Sequence, residues 1–71
     1  MKVPMIVDAT KINDTILYKN QLYVMTVVDT SKKIFTATKV KNKVPKTLAP
    51  GTQVDVLPLA PGAAVLAFPI P

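Results

Sequence analysis

Cysteine, histidine, tryptophan, arginine and glutamate are all missing from this chain. Each absence removes a class of chemistry. Without cysteine there is no disulfide, and the redox compartment stays open because cysteine-free proteins suit reducing and oxidising surroundings alike. Without histidine, cysteine or glutamate, the usual proton carriers, nucleophiles and soft metal ligands are gone. Four aspartates remain, Asp8, Asp14, Asp29 and Asp55, scattered with no spacing that would hold a metal and no glycine-rich phosphate loop beside them. Ser31, the only serine, sits in a turn-forming stretch with no general base. The sequence therefore predicts no catalytic residue, no metal site, no cofactor and no small-molecule substrate.

The absences also bear on stability. A chain of 71 residues makes one domain, and at that size only about 60% of the unfolded surface is buried. Small domains add disulfides, a metal or subunit contacts. Here the third aid is the one the composition leaves. All nine basic residues are lysine, giving net charge +5. Lysine is a hydrated point charge, whereas the planar fork of arginine reads guanine edges and phosphate pairs, so sequence-specific nucleic-acid reading is not expected.

What is present reads as β-structure. Residues 15–18 and 22–28 are rich in β-branched and aromatic side chains, and the step Lys19-Asn20-Gln21 suits a hairpin in which Asn20 takes a positive φ. Asp29-Thr30-Ser31-Lys32-Lys33 has turn chemistry, and 34–40 alternates like a half-buried strand. Residues 41–51 read as a loop ending in a type II turn at Pro50-Gly51. The alternation of 52–57 then puts Val54 and Val56 inward, with Gln53 and Asp55 toward solvent. No window has helical periodicity over three turns, and seven prolines oppose a bundle. A single helical turn near 8–11, capped by Asp8, is the most the pattern allows. Residues 1–7 fit either a strand or an arm. The expected fold is all-β: a small SH3-like antiparallel barrel of four to six short strands over residues 1–57, followed by an extended, Pro-rich apolar arm or last strand over 58–71.

That last segment, LPLAPGAAVLAFPIP from Leu57, has no charge and no hydrogen-bonding side chain. Its prolines oppose a membrane helix, and the apolar run after Lys2 is too short for a signal peptide, so neither membrane insertion nor export is expected. Residues 63–68 are apolar without alternation. They fit a final strand of the chain's own barrel, or an arm laid on a neighbouring subunit. In either case one side of the segment needs a cover, which nominates Leu57, Leu59, Val65, Leu66, Phe68 and Ile70 as an assembly interface. A second candidate surface is electrostatic. Lys32, Lys33, Lys39, Lys41, Lys43 and Lys46 fall close together with no acid among them, a pattern of either a solvated loop or a salt-sensitive contact with a polyanion or acidic protein.

In its size, its lack of cysteine and catalytic side chains and its apolar extended terminus, the chain resembles the small accessory proteins that decorate, cement or join the shells of tailed-bacteriophage virions. The resemblance lies in composition. It implies a non-enzymatic structural protein, assembled in the host cytoplasm into the virion, homo-oligomeric or seated on a major virion protein, with Lys32 to Lys46 against an acidic partner face. Two other readings stay open: a basic nucleic-acid-binding or ribosome-associated SH3-like module, and a small regulator that docks its C-terminal arm on a partner.

Overall fold

The computed structural model describes residues 2–58. Six antiparallel strands form one sheet: β1 (Val3–Ile6), β2 (Thr15–Tyr18), β3 (Gln21–Asp29), β4 (Ile34–Lys39), β5 (Pro45–Leu48) and β6 (Gln53–Leu57). In space they lie in the order β1-β6-β2-β3-β4-β5. The helical turn expected at 8–11 is instead a 3₁₀ turn at Val7–Ala9 with no side-chain cap. Asp8 serves a different purpose, because its Oδ1 accepts the Gly51 N–H at 2.7 Å and ties this turn to the one before β6.

The turns follow from backbone chemistry. Tyr18 pairs with Gln21, so the β2–β3 loop is two residues, Lys19 and Asn20, rather than three. Both have positive φ, 50° and 64°, as a type I′ hairpin requires. At Pro50-Gly51 the type II turn is present. Gly51 has φ 83° and the Thr52 N–H reaches the Ala49 carbonyl at 3.1 Å.

One face of the sheet carries the core. Ile16, Tyr23, Met25, Phe35, Ala37, Leu48 and Val54 are buried together with Val7, which follows β1. Residues near both edges of the sheet thus meet on the concave side, so the sheet is strongly curled. Part of the bend comes from β3, where the register with β4 shifts between Met25 and Val27. The extra residue, Thr26, donates its hydroxyl to the Thr36 carbonyl at 3.2 Å, and such a bulge increases local bending and twist.

The sheet does not close into a full barrel: β1 and β5 are its two edges. Alternate amides of a strand point to opposite sides. The Val7 N–H donates inward to Thr52 and the Lys39 N–H to Val44. Carried along each ladder, this alternation places Pro4 of β1 and Pro45 of β5 where the amide would face the open edge, and proline has no N–H to offer there. Residues 45–48, which the sequence reads as loop, are strand β5, and of residues 1–7, which fit a strand or an arm, Val3–Ile6 form strand β1.

Candidate functional site

The second face of the sheet is the first candidate. Register and alternation fix its membership. Thr15 and Leu17 lie on the side of β2 opposite Ile16, Leu22 and Val24 lie opposite Tyr23, and Leu57 and Asp55 lie opposite Val54 and Val56. Thr15 faces Val24 and Leu57, while Leu17 faces Leu22 and Asp55. Leu17, Leu22, Val24 and Leu57 are half-buried and belong to no part of the core cluster. Val40, whose N–H donates to the Leu22 carbonyl at 2.9 Å, is buried and likewise outside that cluster. Residues 16–17 of β2 and 22–25 of β3 are therefore apolar on both faces, whereas β6 adds only Leu57 to the second face, beside Gln53 and Asp55. That pattern belongs to strands covered on both sides.

Thr15 is the one polar side chain on this face of β2. It is 1% exposed, yet its Oγ1 has no hydrogen-bond partner among the described residues. A buried hydroxyl left unpaired costs about 1–3 kcal/mol, so this spot is a local weakness in the stability of the fold.

Of the residues nominated from sequence as an apolar interface, Leu57 lies on this second face. Leu59, Val65, Leu66, Phe68 and Ile70, and the strand or arm expected over 63–68, lie outside the described residues. The sequence reading missed Leu17, Leu22 and Val24. The available signal was the unbroken apolar character of Leu22-Tyr23-Val24-Met25, which lacks the polar alternation of a strand with one wet face.

The lysines form the second candidate, and the fold divides them. Lys32 and Lys33 occupy the β3–β4 turn, whereas Lys39, Lys41, Lys43 and Lys46 stand at the other end of β4. A six-residue strand separates the groups by about 20 Å. The second group gains a member the sequence did not nominate, Lys19 of the β2–β3 turn. Lys19 Nζ lies 5.4 Å from the centroid of the Tyr18 ring and Lys46 Nζ 5.9 Å from it, both within cation–π range. Tyr18 is held by Tyr23 in an edge-to-face pair, with centroids 6.3 Å apart, and the Tyr23 hydroxyl donates to Gln21 Oε1 at 3.2 Å. Lys39 faces Tyr23 across the β3–β4 ladder and shares its side of the sheet. A shallow hollow of about 300 Å³ between the two turns is lined in part by Asn20, Lys39 and Lys41.

The aspartates are spent elsewhere. Asp14 accepts the Lys11 N–H at 2.9 Å, Asp29 the Lys32 N–H at 2.9 Å and Asp8 the Gly51 N–H. Asp55 stands on the second face, level with Leu17. Among the described residues no three acidic, histidine or cysteine side chains gather in a way that could hold a metal, and no helix is long and apolar enough to cross a membrane. No protein-family model matches this chain, and no curated protein or solved structure matches it either.

Proposed function

We propose that this chain is a non-enzymatic structural subunit that packs through the second face of its sheet, together with the apolar segment 59–71, into a larger homo-oligomeric assembly. The setting its composition resembles is the virion of a tailed bacteriophage, as a decoration, cement or head–tail accessory component. One observation carries the reading: Leu17, Leu22, Val24 and Leu57 form an apolar surface on the side of the sheet away from the core. Joined to further apolar surface, as residues 59–71 would supply, such a patch marks a site of association.

Magnitudes decide how much this surface can do alone. Covering four half-buried aliphatic side chains contributes on the order of 3 kcal/mol per subunit at about 25 cal/mol per Å². Association costs about 4–15 kcal/mol in lost freedom. The face by itself is too small, so the apolar residues of 59–71 and the repeated contacts of a closed, symmetric arrangement must supply the rest. The two proline-blunted edges agree with this mode of association. They discourage open-ended strand addition and leave face-to-face packing as the route.

Sedimentation velocity over a range of concentrations tests the proposal. The full chain should form a defined larger species. Val24→Lys, which sets a charge in the middle of the second face, should be monomeric while keeping the amide dispersion of a folded β-sheet. A triple variant, Val65→Ser with Leu66→Ser and Phe68→Ser, should also be monomeric. A full chain that stays monomeric at high concentration, or a folded Val24→Lys variant that assembles like the parent, would overturn it.

A further inference from the structure

We propose that the corner formed by Tyr18, Lys19, Lys39, Lys41, Lys43 and Lys46 is a sequence-blind binding site for the phosphate backbone of nucleic acid. It adjoins the apolar face, since Leu22 lines the same hollow as Lys39 and Lys41, but it does not rest on the assembly reading. Two lysines far apart in the chain, Lys19 and Lys46, bring their ammonium groups within 6 Å of one tyrosine ring. Three more positive charges stand beside them at the end of β4 and in the turn that follows it. They far outnumber the acids nearby: three of the four carboxylates accept backbone amides elsewhere, and Asp55 alone shares a hollow with Tyr18 and Lys19. Five like charges against one carboxylate leave an excess field that concentrates polyanions.

The chemistry of the corner selects among polyanions. Lysine ammoniums accept a phosphate from many directions and read no base edge. The Tyr18 ring is already engaged by the two ammoniums, and its neighbour Tyr23 is buried. Base stacking of the kind used by single-strand binders is therefore not offered. Recognition of an acidic protein would need a desolvated anchor at the centre of the patch, and this corner has four exposed lysines and the half-buried Lys39 around one half-buried ring. A continuous chain of phosphates satisfies such a cluster with no further feature.

The test is a salt titration of the full chain binding a random-sequence DNA duplex, at protein concentrations below any self-association. Each neutralised phosphate contributes about 0.9 to the slope of log K against log salt, so five lysines give a slope near −4.5 and a roughly 500-fold loss of affinity between 50 and 200 mM salt. Lys19→Gln with Lys46→Gln should lower the magnitude of the slope by about 2. Lys32→Gln with Lys33→Gln, at the far end of β4, should leave it unchanged. Absence of binding at low salt would overturn the proposal. So would equal effects of the two lysine pairs, which would mean that overall charge alone attracts DNA. Tighter binding to polyglutamate than to the duplex would also overturn it and identify an acidic protein as the partner.

Discussion

At the scale of single residues, Thr15 is where the fold gives up stability. Its side chain is fully buried between Val24 and Leu57, with a hydroxyl that has no partner among the described residues. Valine has nearly the same shape and no polar atom to leave unsatisfied, so Thr15→Val should raise stability by about 1 kcal/mol. For a domain of this size, that moves the thermal midpoint up by about 4–8 °C. Calorimetry or urea unfolding measures it directly, and a loss of stability would mean that the hydroxyl is bonded after all. Other residues show how far local chemistry was readable. Asn20 and Gly51 were identifiable as positive-φ positions because their side chains make that region accessible. Lys19, Lys33 and Lys43 also have positive φ. Nothing in a lysine signals this, and it is imposed by the turns around it. Asp8 looked like a helix cap, yet its partner is Gly51, which is adjacent only once β1 and β6 have paired.

At the scale of elements, the strands that could be read are those with enough β-branched and aromatic residues to declare a pleated face: β2, β3, β4 and β6. The two edge strands were obscure for one shared reason. β1 and β5 are four residues each and both contain proline, which lowers any strand expectation drawn from sequence. That same proline is what makes them safe edges. Replacing Pro4 and Pro45 together by threonine would restore an outward N–H on each open edge, and the double variant should aggregate by strand addition at concentrations where the parent does not. Light scattering and thioflavin fluorescence during incubation follow this. An unchanged aggregation rate would show that the prolines have no protective part. The lysine run illustrates the opposite failure. Six charges that look like one cluster along the chain are split by β4, while Lys19 joins the larger group only because two hairpin turns lie at the same end of the sheet.

At the scale of the whole molecule, the curled sheet has one face closed over a core and another that carries a half-buried apolar patch. The composition, with nearly half its residues hydrophobic and no cysteine, leads to the expectation that some of this surface finds cover beyond a single small core. Sequence reasoning located the surplus in residues 57–71 alone. The register adds Leu17, Leu22 and Val24, because only strand pairing shows that these side chains share a face with Leu57. The central claim is that association between copies covers this face. It is tested most directly by the solvent exposure of its methyl groups, read by relaxation from a neutral paramagnetic cosolute in concentrated and in dilute samples. Association predicts that the methyls of Leu17, Leu22, Val24 and Leu57 are shielded when concentrated and become exposed on dilution, as mass action demands. Ile12 and Val44, which are 57% and 51% exposed, should stay accessible throughout and serve as references. Equal shielding of the four methyls at both concentrations would contradict the claim, because it would place their cover within the same chain.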